Sequence, residues 1–132
     1  MPLYGHDRLM TTSRKLIAIL EDDTGMRRAV ERLLTISGYR TRVFTSAGED
    51  GVADCIRTAY CVVADVNLPG LSGPAFYRAL PSPRPPIVFV TAYDNEAARA
   101  EIRRAGGREI LTKPFLGNDL LSAIERAARS RA

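Results

Sequence analysis

The residues best suited to chemistry stand where short apolar runs stop. "KLIAIL" leads into Glu21, Asp22 and Asp23. "YCVVA" leads into Asp65, with Asn67 two places on. "IVFV" ends in Thr91, followed by Ala92 and Tyr93. "EILT" is followed by Lys113, Pro114 and Phe115. Carboxylates brought together repel, and burying them is costly without a compensating cation. A hard divalent ion with oxygen ligands meets that need, and Mg²⁺ characteristically takes one or two carboxylates and keeps several waters. A lysine adds a compact positive charge where a phosphoryl group could sit. The set suits phosphoryl transfer with an aspartate as nucleophile. Each residue also has a plain structural explanation. Asp23 or Thr24 can cap a helix. Asp65 can hydrogen-bond the turn made by Leu68, Pro69 and Gly70. Thr91 can be an ordinary strand residue, and Lys113 can be solvated. Their joint placement carries the argument.

Those positions need elements to hold them. Lys15–Leu20 reads as a buried strand. From Met26, apolar side chains recur at Ala29, Val30, Leu33 and Leu34 at helical spacing as far as Ser37, and Gly38 supplies a stop. Arg40–Thr45 reads as a strand, and Ala47–Thr58 as a helix with a weak stripe of Val52, Cys55 and Ile56. Tyr60–Val66 is a third strand and Gly73–Leu80 a short helix. "PSPRPP" excludes regular structure, because each proline removes a donor and fixes φ. Ile87–Thr91 is a strand, Asn95–Ala105 a helix ended by Gly106 and Gly107, and Glu109–Thr112 a short strand. Asn118–Arg129 is a last helix with Leu120, Leu121, Ile124, Ala127 and Ala128 on one face. Strands alternating with helices imply a parallel sheet, right-handed crossovers and helices on both faces. In such an α/β sheet, ligands bind outside the carboxyl ends of the strands, where the chemistry-bearing residues fall.

Composition narrows the function classes. The 132 residues suit one domain, and 45% hydrophobic with 26% charged residues reads as globular. No apolar run approaches the roughly 20 residues needed to span a bilayer. The start, "MPLYGHDRLMTTSRK", lacks the apolar stretch of a signal peptide. Residues 1–14 are expected to be a flexible tail, and residues 15–132 a single domain of a cytoplasmic protein. Cys55 and Cys61 form no CxxC pair, and His6 is the one histidine, which argues against zinc. The net charge of +4 is scattered over helix surfaces. That pattern favours a solvated basic surface over direct nucleic-acid binding. Neither GxxxxGK(S/T) nor GxGxxG occurs. The first strand ends in "EDDT" rather than the DxDx(T/V) of haloacid dehalogenases.

In order and spacing, "IAILEDD", "VVADVNLPGLSG", "IVFVTAY" and "LTKPF" resemble the receiver domains of bacterial two-component response regulators, over Lys15–Arg129. "TAY", "LTKPF" and the final helix look most like receivers of the nitrogen-fixation and nitrate-response type. The resemblance implies a flavodoxin-like (βα)5 three-layer sandwich with strand order 2-1-3-4-5. It implies Asp65 as phosphoacceptor, with Asp22, Asp65 and the Asn67 backbone carbonyl as ligands of Mg²⁺ or Mn²⁺ and Glu21 acting through water. Thr91 would hydrogen-bond the phosphoryl group, and Lys113 would pair with it across a cis Lys113–Pro114 bond. "EDD" leaves the register open: Glu21 with Asp22, or Asp22 with Asp23 if the strand slips by one residue.

The implied partners are a histidine kinase or histidine phosphotransfer protein and a downstream protein target, with the domain a monomer or weak dimer. Output is expected through a face built from the fourth helix, fifth strand and fifth helix. Many receivers place an aromatic three residues before the lysine, where this chain has Ile110. Tyr93 and Asn67 are therefore the residues expected to modulate the switch and the loss of the phosphoryl group. A single-domain regulator is expected. The alternatives are a receiver cut from a DNA-binding regulator and a receiver-shaped interaction module that is never phosphorylated.

Overall fold

Period-two alternation along three central strands divides the core in two. The computed structural model describes residues 15–130. The expected tail, residues 1–14, lies outside the described residues. β1 (Leu16–Leu20), β3 (Cys61–Asp65) and β4 (Ile87–Thr91) are buried at every position. Ala18, Leu20, Val62, Ala64, Ile87 and Phe89 face one side, and Ile17, Ile19, Cys61, Val63, Val88 and Val90 the other. A strand buried on both faces needs a helix layer on each. α2 (Val52–Thr58), α3 (Gly73–Ala79) and α4 (Glu96–Arg104) cover the first face. α1 (Thr24–Ile36) and α5 (Gly117–Arg129) cover the second.

β2 (Arg40–Phe44) and β5 (Glu109–Thr112) complete a parallel sheet in the order β2-β1-β3-β4-β5. This is the flavodoxin-like arrangement. β2 turns Arg40 and Arg42 outward, which suits an edge strand because exposed charge discourages pairing with another chain.

Boundaries differ from expectation where side chains intercept backbone donors. The first helix begins at Thr24, because the Asp23 carboxylate accepts from the Met26 N–H at 2.7 Å. The second is helical only from Val52, not from Ala47. Glu49 Oε1 accepts from the Thr45 N–H at 2.7 Å and from its hydroxyl at 3.1 Å, closing a turn before the helix. Gly51 then precedes it at φ 91°, a left-handed conformation that favours glycine.

At the amino-terminal edge of the sheet, α5 is fastened by its one inward carboxylate. Glu125 accepts from the Tyr39 hydroxyl and, at 2.8 Å, from the Tyr60 hydroxyl. The two rings stack, and the Lys15 ammonium lies 4.5 Å from the Tyr60 centroid. Burial pushes the Glu125 carboxyl up, but the two phenol hydrogen bonds outweigh it and hold it below the usual range. Burial and then Glu125 push the Tyr60 phenol up to about 12.

A depressed carboxyl contributes stability that is present above its unfolded pKa, about 4.3, and lost as pH falls through its folded value. The raised phenol contributes stability that is present below about 10 and lost as pH rises through its folded value. Tyr60→Phe is expected to destabilise the fold by about 1 kcal/mol at neutral pH. In urea unfolding at a series of pH values, the gap from wild type should shrink below about pH 4 as Glu125 protonates.

Candidate functional site

Register decides which side chains meet. Leu20 pairs with Ala64, Asp65 with Val90 and Thr91 with Thr112. Beyond those pairs the ladder runs on, with the Glu21 N–H donating to Phe44 O, Val66 to Val90 O and Lys113 to Thr91 O. Glu21 and Asp65 thus leave their strands at one level, and Lys113, two residues past the level of Val90 and Leu111, reaches back to them. By alternation, Glu21 and Asp65 share the parity of Ile19 and Val63 and turn to the α1/α5 face. Thr91 shares the parity of Phe89 and turns to the α3/α4 face.

Oxygens of Glu21, Asp22 and Asp65 lie within 4.8 Å of one another. Lys113 Nζ donates to Asp65 Oδ2 at 2.7 Å and lies 3.0 Å from Glu21 Oε1. Glu21 and Asp65 are 2% and 5% exposed, too buried for water alone to neutralise them. The Asp65 Oδ1 accepts from the Asn67 N–H at 2.8 Å. Asp65 therefore does both things its sequence position allowed: one oxygen closes the following turn and the other faces the lysine. The Lys113–Pro114 peptide is cis.

Glu21 Oε2 accepts from the Asp23 N–H at 3.1 Å. Its buried Oε1 has no aligned hydrogen bond among the described residues, although Lys113 stands close. Burial pushes the Glu21 carboxyl up and Asp65 adds to the rise, against Lys113 and the Asp23 N–H. Burial alone would lower the Lys113 ammonium, but the hydrogen bond to Asp65 and the adjacent Glu21 carboxylate reverse this and raise its pKa.

Three carboxylates against one ammonium leave a formal charge of −2, since −3 + 1 = −2. A divalent cation would cancel it. The all-oxygen donor set and the underused Glu21 Oε1 fit a hard ion such as Mg²⁺ or Mn²⁺. Asp23 stands outside this cluster, its carboxylate engaged as the α1 cap.

The other expected residues surround the cluster without joining it. The Thr91 hydroxyl, 1% exposed, accepts from the Tyr93 N–H and donates to the Tyr93 carbonyl, both at 3.1 Å. Tyr93 itself is 71% exposed. A cleft of about 320 Å³ opens between Asn67, Thr91 and Tyr93. Ile110 is half-buried against the α2–α4 side of the core.

Two contributors were not legible in the sequence. Arg27, one arginine among many on helix surfaces, turns back onto the β1–α1 loop, with Nη1 3.1 Å from Glu21 O and 3.3 Å from Asp22 O. Gly73 lets α3 approach the strand that carries Asp65, because a Cβ there would lie 2.4 Å from the Asp65 carbonyl oxygen. The glycine in "LSGP" was the available signal for that close approach.

The strand order and the acidic site at the carboxyl edge define the class: a flavodoxin-like α/β domain with its functional residues at the sheet's switch point. The response regulator receiver domain model matches residues 17–125, and the chain belongs to that family. Nodulation protein W of Bradyrhizobium diazoefficiens is 31% identical over 93% of this chain and 54% of that protein. The transcriptional regulatory protein TdiR of Thauera aromatica is 30% identical over 89% of this chain and 52% of its own length. The DNA-binding transcriptional regulator NtrC of Escherichia coli K12 is 26% identical over 86% and 25%. The chain thus spans between a quarter and about half of these curated relatives. Nodulation protein W and NtrC fit the nitrogen-related resemblance. Among solved structures, a CheY-like receiver domain protein from Methanospirillum hungatei JF-1 superposes with a TM-score of 0.79 at 25% identity, covering 89% of this chain and 96% of that one.

The Gly73 contact is with backbone, which cannot rotate away. Gly73→Ala is expected to cost about 1–3 kcal/mol in chemical denaturation. It should also shift the backbone amide resonances of Asp65 and Val66. Unchanged stability and unchanged resonances would show that the approach is looser than the structure places it.

Proposed function

We propose that Asp65 accepts a phosphoryl group from a phosphohistidine on a histidine kinase or histidine phosphotransfer protein. The observation that carries this reading is the buried Asp65–Lys113 pair at 2.7 Å beside the Glu21 and Asp22 carboxylates. Asp65 Oδ attacks phosphorus in line, forming a P–O bond as the P–N bond breaks, and the histidine keeps the electron pair. Lys113 stays close enough to pair with the transferred oxygens, and a fixed charge in a site sheltered from water is the effective kind. Asp22, Asp65 and the Asn67 carbonyl would hold the divalent ion, with Glu21 through water. Bound Mg²⁺ or Mn²⁺ would offset charge on the phosphoryl oxygens. Water attacking the aspartyl phosphate later resets the domain.

Thr91 supplies the switch. To reach the phosphoryl group its hydroxyl must leave the Tyr93 peptide, which moves the β4–α4 loop. That movement biases the face made by α4, β5 and α5, where a downstream protein reads the state. Ile110 stands where many receivers have an aromatic, so the loop itself carries the readout here. The domain is proposed to act in the cytoplasm as a monomer or weak dimer. No described helix is long and apolar enough to cross a membrane. A single-domain regulator is one form of this proposal. The relatives named as transcriptional regulators favour a second, in which the same face acts on an attached DNA-binding part.

With acetyl phosphate and Mg²⁺, intact mass should show one phosphoryl adduct on wild type and none on Asp65→Asn. An unmodified wild type would favour a receiver-shaped binding module instead, and an undiminished adduct on the variant would move the acceptor elsewhere. Tyr93 borders the cleft beside Asn67 and Thr91. Tyr93→Ala is expected to change the decay rate of the phosphoprotein by roughly two- to tenfold, as a residue gating water would. Decay curves that superimpose would remove Tyr93 from that role.

A further inference from the structure

Asp22 differs from the other two carboxylates of the cluster in what holds it. Asp65 is fixed at both oxygens, by Asn67 and Lys113. Glu21 is buried and takes a hydrogen bond from the Asp23 N–H. The Asp22 side chain is exposed and has no hydrogen-bond or ion-pair partner among the described residues. Its position is therefore set by its backbone. Besides the Glu21 carboxylate, which takes the Asp23 N–H, that backbone has one side-chain anchor, Arg27. The Arg27 N–H starts α1 by donating to Asp23 O at 2.9 Å. Its side chain returns across the loop, and one guanidinium nitrogen reaches the successive carbonyls of Glu21 and Asp22.

We propose that Arg27 is a positioning residue for the divalent cation, holding the Glu21–Asp22 peptide so that the Asp22 carboxylate stays aimed at the cluster. The proposal rests on the metal-site reading above. It also makes a prediction about sign. A guanidinium near a cation site repels the cation, so charge alone predicts that losing Arg27 tightens binding. Positioning predicts that losing it weakens binding, because a donor that orients a ligand from outside the coordination sphere affects affinity by about 10- to 100-fold. The contact is made by one nitrogen of a planar guanidinium to two acceptors, a placement that the flexible stem and compact ammonium of a lysine reproduce only in part. The half-buried guanidinium also satisfies two carbonyls at a strand end, where unpaired backbone acceptors are costly.

Mn²⁺ binding to the purified protein, followed by the electron paramagnetic resonance of free Mn²⁺, separates the two effects. Arg27→Met keeps length and removes both donors and charge, and it is expected to weaken Mn²⁺ about tenfold. Arg27→Lys keeps the charge and one donor direction, and it should fall between. The phosphorylation deficit of Arg27→Met at limiting Mn²⁺ should be recovered as Mn²⁺ is raised, a shift in metal dependence that lower stability alone would not produce. Equal or tighter binding by Arg27→Met overturns the proposal. So does an Arg27→Lys variant as weak as Arg27→Met. Asp22→Ala serves as the reference. If wild type binds no Mn²⁺, or Asp22→Ala binds it unchanged, the metal-site reading falls and this inference falls with it. If wild type binds, Asp22→Ala does not and Arg27→Met matches wild type, only the present inference falls.

Discussion

The site depends on one ammonium shared between two buried carboxylates. Lys113 stands 2.7 Å from Asp65 and 3.0 Å from Glu21, all three largely out of water. Removing either carboxylate from water without a partner would cost several kcal/mol. With one lysine for two acids the compensation is incomplete, as the raised Glu21 carboxyl shows. The incompleteness is useful. A site fully neutralised by its own side chains would have no electrostatic reason to take a divalent cation or a phosphoryl group.

That arrangement needs three strands to end close together on one edge, and a parallel sheet provides it. Glu21 and Asp65 reach the carboxyl edge together because Leu20 pairs with Ala64, while Lys113 extends two residues past the level of Val90 and Leu111 and turns back. The central strands are buried on both faces, so a one-residue slip would turn each apolar set toward the wrong helix layer. Packing thus fixes the geometry of the site indirectly, by fixing register. Gly73 extends the same logic into the following loop, where only the lack of a Cβ lets α3 close over the Asp65 carbonyl. Rigidity under the site and adjustable loops above it divide the labour between holding charge and responding to it.

How much of this the sequence made legible follows from the range of each interaction. The strands showed themselves because burial on two faces produces unbroken apolar runs such as "CVVA". The acidic pair was visible as a cluster but not in register, since "EDD" reads alike whichever acid follows the strand. What separates them is the Asp23 cap on Met26, a local hydrogen bond that sequence presents only as one option. The second helix is shorter than Ala47–Thr58, because a weak apolar stripe does not say where a turn ends. The Glu49 side chain, by taking the Thr45 donors, keeps residues 45–51 out of the helix. Arg27 is inconspicuous in the sequence for another reason. Its chemistry lies in two backbone carbonyls, and carbonyls leave no mark on side-chain pattern.

Under the proposed phosphorylation of Asp65, the bonds of Thr91 give a reason why a phosphoryl group, and little else, would move it. Its hydroxyl makes two bonds, both to Tyr93 in its own loop. Breaking them in a site 1% exposed leaves nothing but a new acceptor to replace them. A neutral–neutral hydrogen bond contributes about 0.5–1.5 kcal/mol net, whereas one to an ionised oxygen contributes about 1.5–3. Exchanging the Tyr93 carbonyl for a phosphoryl oxygen is therefore favourable by roughly the difference, about 1 kcal/mol or somewhat more, when the moving loop gives the Tyr93 N–H a new acceptor such as water. The same exchange toward water or an unmodified carboxylate already paired with Lys113 gains little. A shift of that size moves a balanced two-state loop by several-fold rather than completely. The acceptor charge sets the direction of the switch, and the loop's own two hydrogen bonds set how far it must be driven.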